Sequence, residues 1–168
     1  MSIMARDEKV YAYRFLDAKD ANHKVGETLQ GPFHHFISCH SKRAAEEIFE
    51  QVRSQSFPNT LSRETSLFVV PHDIAYVENW MNHLYPHENH DYNLLLLELD
   101  GTIEWHNGEL FSDTIFYKDS TKYTELAMRY WKEEYETVTN NKQAIIDGLF
   151  QGRAKIIEIT QRHHYAMY

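Results

Sequence analysis

Residues 61–70 read L-S-R-E-T-S-L-F-V-V. Four hydroxyl or guanidinium side chains, which could bind a ligand, come directly before the apolar stretch at the end of this segment. The polar residues are Ser62, Arg63, Thr65 and Ser66. Residues 67–70 are β-branched or aromatic apart from one leucine, and Pro71 follows them, which predicts a short buried strand. Open sheets often bind ligands in clefts at the ends of their strands. The segment therefore predicts hydroxyl and guanidinium groups at a ligand-binding end of a sheet.

Arg14 lies within a strand predicted over residues 10–16, V-Y-A-Y-R-F-L, which is otherwise apolar or aromatic. A guanidinium in such a strand needs a partner wherever it is partly buried. One interpretation is an ion pair with a carboxylate on a neighbouring strand, Glu98 or Glu158. The other is a clamp for a phosphate or carboxylate ligand, which the planar fork of arginine suits. The pattern favours both interpretations equally.

Asp147 precedes the sequence G-L-F-Q-G, which predicts a turn into a last strand over residues 154–159. A short helix is predicted before it, capped by Asn140 or Asn141 and running through Ile146. An anion at the C-terminus of a helix is electrostatically unfavourable. Asp147 is therefore either a solvated end residue or a residue with a compensating role.

Histidine is abundant, with eleven residues, whereas Cys39 is the single cysteine. Adjacent histidines on a strand point to opposite faces, and none of the three neighbouring pairs named below has the helical H-x-x-x-H spacing. We therefore expect mostly surface histidines and no metal, with a histidine-ligated metal enzyme as the weakest hypothesis. Cys39 lies near His35 and His40, but packing explains a lone cysteine without an activated thiol. The neighbouring histidines are His34 and His35, His87 and His90, and His163 and His164.

Apolar stripes at helical spacing follow Ser41, Asp73 and Ser120, and each of these residues is a good N-cap. Tyr123 and Tyr130 lie on the third stripe, where core packing explains them. A tyrosine hydroxyl at the edge of a cleft would instead stack on or hydrogen-bond a ligand.

The remaining patterns predict strands and a tail. Residues 94–99 form an apolar strand, and Asp100-Gly101 is typical of a two-residue hairpin turn that leads into a returning strand at 102–106. Residues 161–168 are expected to be an exposed tail of a single domain covering residues 1–168.

The composition restricts the class of protein. A chain of 168 residues with 42% hydrophobic content suits one α+β domain. The net charge of −8 disfavours broad nucleic-acid binding, which depends on clustered basic residues. The charged N-terminus and the short apolar runs predict no signal peptide and no membrane span. A cytoplasmic protein is expected.

Several short motifs, taken in order, resemble the ADP-ribosyltransferase-like fold, especially its small bacterial and phage members. The resemblance implies a split or strongly bent mixed β-sheet with three to four packed helices. The motifs are Y-x-Y-R at 11–14, S-R-x-x-S-L-F-V at 62–69, D-x-x-Y-x-x-x-W at 73–80, a strand and turn of the form L-x-L-x-G, L-A-x-x-Y-W at 126–131 and D-G-L-F-x-G-x-x-K-I-I at 147–157.

In transferases of that kind, a first-strand arginine contacts the phosphates of NAD, and a late glutamate stabilises the ribosyl cation. The resemblance implies that Arg14 is the phosphate contact, that Ser66 or Ser62 is the hydroxyl that orders the cleft, and that Asp147 replaces the glutamate. It also implies a second phosphate donor and a residue that stacks on nicotinamide. These further contacts are Arg63 for the phosphate, and Tyr123 or Tyr130 for the ring.

The implied function is an NAD-dependent ADP-ribosyltransferase or an NAD-cleaving relative, a host- or competitor-directed effector with NAD as substrate and a protein target. Aspartate is one methylene shorter than glutamate, and a displacement of roughly 1 Å can reduce a rate about a hundredfold. Gln143, Glu134 and Glu158 are alternatives for the carboxylate position. The alternative function is a non-catalytic nucleotide-binding or protein-blocking protein of the same fold.

Overall fold

The computed structural model describes residues 2–20, 22–33, 42–132 and 144–167, with side chains of the first strand described from Lys9 onward. These parts of the chain form five strands, four α-helices and a 3₁₀ helix at Asp113–Phe116. The strands are β1 Ser2–Asp17, β2 Thr28–Gln30, β3 Leu67–Pro71, β4 His90–Asn107 and β5 Ile146–His164. The helices are α1 Arg43–Ser56, α2 Ile74–Leu84, α3 Gly108–Ser112 and α4 Ser120–Lys132.

The sheet has the order β2-β5-β3-β1-β4, and β4 also pairs with β5, so that β1, β4, β5 and β3 form a closed ring. All pairings among the described residues are antiparallel. Gly101 faces Gly152 within the long pairing of β4 with β5, and both glycines have positive φ angles. The predicted single α+β domain with three to four packed helices is confirmed, but the described strand pairings are all antiparallel, where a mixed sheet was expected.

The hairpin prediction at Asp100-Gly101 is wrong. β4 continues through Gly101 to Asn107, and residues 102–107 pair with residues 146–151 of β5. The Asp-Gly sequence therefore lies inside one continuous strand, because pairing with β5 on both sides of Gly101 outweighs the local turn preference.

Two predictions near the C-terminus also need correction. Ile146 and Asp147 begin β5 instead of ending a helix, since they pair with Asn107 and His106 of β4. The expected tail at 161–168 is shorter, because residues 161–164 pair with residues 90–93. Ser41, Cys39, the histidines at 34, 35 and 40, and Asn140 and Asn141 lie outside the described residues.

Two apolar clusters fill the interior. The first lies between the sheet and α2, and it includes Val77, Met81 and Leu97. The second lies between α1, α3, α4 and the sheet, and it includes Phe49, Phe111 and Trp131. The helical stripes read from the sequence thus lie on the buried faces. The second cluster surrounds most of the polar residues described below.

Asp73 caps α2 as its position predicts, because its carboxylate accepts a hydrogen bond from the Ala75 amide at 3.0 Å. We expect Asp73→Ala to lower the free energy of unfolding by about 1 kcal/mol, the usual effect of losing an N-cap acceptor. Chemical denaturation measures this difference. Asp73→Asn, which keeps an acceptor at the same place, is the matched control, and an equal loss in both variants would contradict the capping role.

Candidate functional site

A cavity of about 190 Å³ opens where β1 separates from β3. The two strands pair only at Ala12 with Pro71 and Tyr13 with Val70 among the described residues. Beyond Tyr13, β1 continues along β4, while β3 continues along β5. The split leaves room between the strands, and α2 contributes one wall. The lining includes Arg14, Phe15, Phe68, Val70, Trp80 and Asp147.

Arg14 enters this split from β1. Its Nη1 donates a hydrogen bond of 2.8 Å to the carbonyl oxygen of Phe68 on β3. Within the described part of the chain, its guanidinium makes no ion pair, and Glu98 instead lies 3.6 Å from Lys9. Burial lowers the pKa of Arg14 below its ordinary value. Arg14 is therefore a partly desolvated cation beside a cavity. It does not form the ion pair with Glu98 or Glu158 that was one of the two interpretations of the sequence.

Asp147, on β5, also lines this cavity. Its Oδ2 accepts hydrogen bonds from Arg63 Nη1 at 2.5 Å and from the Tyr130 hydroxyl at 2.8 Å. Its Oδ1 accepts none from the residues that the structure describes. Because both donors act on one oxygen, they fix the orientation of the carboxylate. Arg14 and Asp147 thus line the same cavity, which is the convergence that the family resemblance implied.

Arg63 is buried and lies next to Asp147. Its Nε and Nη2 donate to the Glu46 carboxylate at 3.0–3.2 Å, and its guanidinium carbon lies 3.9 Å from the centre of the Phe111 ring. Burial opposes the charge, but the acidic groups of Tyr130, Asp147 and Glu46 raise the pKa of Arg63 well above its ordinary value. With its donors directed at these partners, Arg63 supports Asp147 and does not reach the cavity as a phosphate donor.

Tyr130 is a structural member of the same cluster. Its ring is stacked on His106 with the centroids 4.5 Å apart, and only 1% of the residue is exposed. Burial, together with the charge of Asp147, raises the pKa of the phenol well above its ordinary value, so the hydroxyl stays protonated and donates. The ring therefore has no free face for nicotinamide. The structure gives Tyr130 a role in orienting Asp147 instead.

The three remaining residues implied by the resemblance lie away from the cavity. The Ser62 hydroxyl donates to Glu50, and the buried Ser66 hydroxyl donates to the Ser62 carbonyl at 2.6 Å. The Tyr123 hydroxyl donates to the Tyr117 carbonyl near the start of α4. These bonds shape the segment before β3 and the start of α4. None of these side chains lines the split.

Two important residues were missed by sequence reasoning or assigned only to the core. Trp80 forms a wall of the cavity, and its indole N–H donates to the Ile146 carbonyl at 2.7 Å, next to Asp147. Glu46 is 3% exposed on the inner face of α1. A carboxylate beside the apolar stripe Ala45–Phe49 is the signal for Glu46, since a buried carboxylate needs a cationic partner.

Among the described residues, no group of three or more histidine, cysteine, aspartate and glutamate side chains is arranged to hold a metal ion. No described helix is long and apolar enough to cross a bilayer.

Comparison with known proteins supplies a family but no activity. No curated protein matches the chain. A family model described as a protein of unknown function, DUF2441, matches residues 5–162, which include every residue named above as lining the cavity. The chain therefore belongs to the DUF2441 family.

Proposed function

We propose that this protein is a cytoplasmic NAD-dependent ADP-ribosyltransferase or a close NAD-cleaving relative, acting as a host- or competitor-directed effector. The observation that carries the proposal is that Arg14 and Asp147 line one cavity in the split of the sheet. A cation and a carboxylate at one cavity match a ligand that has anionic phosphates next to a cationic nicotinamide riboside.

The size of the cavity limits which part of NAD enters it. An engineered cavity of about 150 Å³ accepts benzene. The cavity of about 190 Å³ is therefore large enough for one six-membered ring with a small substituent, which suits nicotinamide. Trp80 and Phe15 supply aromatic walls, and Arg14 is available to a phosphate. The rest of the dinucleotide then lies outside the cavity.

The chemistry assigned to Asp147 is charge stabilisation. When the bond between nicotinamide and ribose breaks, its electron pair leaves with neutral nicotinamide, and the ribose becomes an oxocarbenium-like cation. Glu46 and Asp147 both pair with Arg63, so one positive charge is shared between two carboxylates. The oxygen of Asp147 without a described donor is the atom assigned to the cation or its 2′-hydroxyl. The acceptor, a protein target or water, then attacks the sugar.

One observation favours the non-catalytic alternative. The 2.5 Å ion pair with Arg63 and the hydrogen bond from Tyr130 both reduce the charge that Asp147 presents to a ligand. A carboxylate held in this way orients a bound nucleotide better than it stabilises a strong cation. The alternative function is therefore nucleotide binding without cleavage, or the blocking of a protein target.

We expect incubation with NAD to release nicotinamide, and we expect Arg14→Gln and Asp147→Asn each to reduce that release at least about a hundredfold. Chromatographic quantification of nicotinamide measures the rate. Arg153→Gln is the matched control, because Arg153 is an exposed arginine on β5 outside the cavity. Circular dichroism confirms that each variant is folded.

The outcomes separate the two functions. Undiminished release in both cavity variants would overturn the residue assignment. Binding of NAD without release would establish the non-catalytic alternative, whereas absence of NAD binding at millimolar concentration would exclude both nucleotide functions.

A further inference from the structure

The guanidinium of Arg14 has no ion-pair partner among the described residues, and the cavity beside it is lined mostly by apolar side chains. Its described contact is a hydrogen bond to the neutral carbonyl of Phe68, which uses one of its five donors. No neighbouring charge offsets the lowering of its pKa by burial. A desolvated cation without a counter-ion is unfavourable, and a bound anion would restore the balance.

Asp147 does not supply that counter-ion within the protein. It lines the same cavity, yet it pairs with Arg63 and makes no ion pair with Arg14. A cation, Arg14, and a carboxylate, Asp147, therefore both line the cavity. An anionic group on a ligand is attracted to Arg14 and repelled by Asp147.

The other residues that line the cavity are apolar and partly aromatic. Phe15 and Trp80 have their ring centroids 6.3 Å apart in a tilted arrangement, and Phe68 and Val70 line the side formed by β3. The volume of about 190 Å³ exceeds only modestly the cavity of about 150 Å³ that accepts benzene. The space is therefore large enough for one planar ring with a small substituent.

We infer that this cavity binds a one-ring aromatic monocarboxylate, whose carboxylate accepts hydrogen bonds from the free donors of Arg14 while the ring contacts Phe15 and Trp80. A hydroxyl or amino donor on the far side of the ring would meet the Asp147 carboxylate and strengthen binding. A second carboxylate there would weaken it.

This inference uses the same cavity as the proposed function, but it does not require NAD to bind. If both hold, the aromatic acid is a competitor of NAD for Arg14. The ligand test is therefore made on the protein without NAD, so that failure of one proposal is distinguishable from failure of the other.

The experiment is isothermal titration of the full chain with benzoate, 4-hydroxybenzoate, benzamide and terephthalate. Benzamide has the same shape as benzoate without the charge, and terephthalate adds a second carboxylate at the far end. We expect benzoate to bind at least about tenfold more tightly than benzamide, the ratio for one charge-assisted contact. We expect 4-hydroxybenzoate to bind more tightly than benzoate and terephthalate more weakly.

Variants locate the site. Arg14→Gln should weaken benzoate binding at least about tenfold and remove its advantage over benzamide, while Arg153→Gln should leave both unchanged. Val70→Phe, which fills the cavity without touching the charge, should abolish binding of both ligands. Equal affinities for benzoate and benzamide in the unaltered protein would overturn the inference. Benzoate binding that survives Val70→Phe would also overturn it. Neither of these two measurements depends on whether Arg14→Gln folds.

Discussion

Replacing Arg63 with alanine should lower the free energy of unfolding by about 3–5 kcal/mol, the range for removing one partner of a buried ion pair. Arg63 is 5% exposed and pairs with both Glu46 and Asp147. Without the guanidinium, two buried carboxylates and the Tyr130 hydroxyl lose a donor, and the space beside the Phe111 ring is left unfilled.

Denaturation by urea measures the loss, and Arg43→Ala is the matched control. Arg43 also pairs with a glutamate, Glu47, at 3.1 Å, but both side chains are about 60% exposed. Such a surface pair contributes about 0–1 kcal/mol. If Arg63→Ala costs no more than Arg43→Ala, the buried cluster does not support the fold as described.

Gly101→Ala should reduce stability by about 2–4 kcal/mol, because overpacking and backbone strain act together at this position. A Cβ on Gly101 would lie 2.2 Å from the Gln151 carbonyl oxygen and 2.9 Å from the Cα of Gly152. Both of these atoms belong to the backbone of β5, and β5 pairs with β4 on each side of Gly101. Neither strand can move aside without breaking the pairing.

Gly26→Ala is the control for the backbone conformation alone. Gly26 has a φ of +93° in a surface turn, and a Cβ there would meet no atom within 4 Å. The substitution should cost about 1 kcal/mol, since only the left-handed conformation is penalised. Similar losses at both positions in urea denaturation would contradict the close contact of β4 with β5 at Gly101.

Local patterns predicted most of the regular structure. The strand at 67–70 ends near Pro71, and Asp73 caps α2, because proline and a capping carboxylate act on their immediate neighbours. The apolar stripe of α4 likewise predicts its buried face, which includes Tyr130 and Trp131. These features depend on residues within one or two helical turns of each other.

The site could be predicted only in part. The resemblance selected Arg14 and Asp147, and the structure brings both to one cavity. It also selected Arg63 and Tyr130 as nucleotide contacts, but their partners are protein groups. Arg63 and Asp147 are 84 residues apart in the chain, and Arg63 and Glu46 are 17 apart. Sequence patterns cannot assign such pairs, because folding alone decides which carboxylate reaches the guanidinium.

The sequence by itself thus determined the fold class, the buried faces of the helices and the strand that follows the polar segment 61–66. It also placed an arginine in an apolar strand, where a charge requires a partner. Only the tertiary structure decided that β4 continues through Asp100-Gly101, that Asp147 belongs to a strand, and that Arg63 pairs with Asp147. The physical reason is that long-range pairing between β4 and β5 outweighs local turn preferences, and burial makes each charge depend on distant partners.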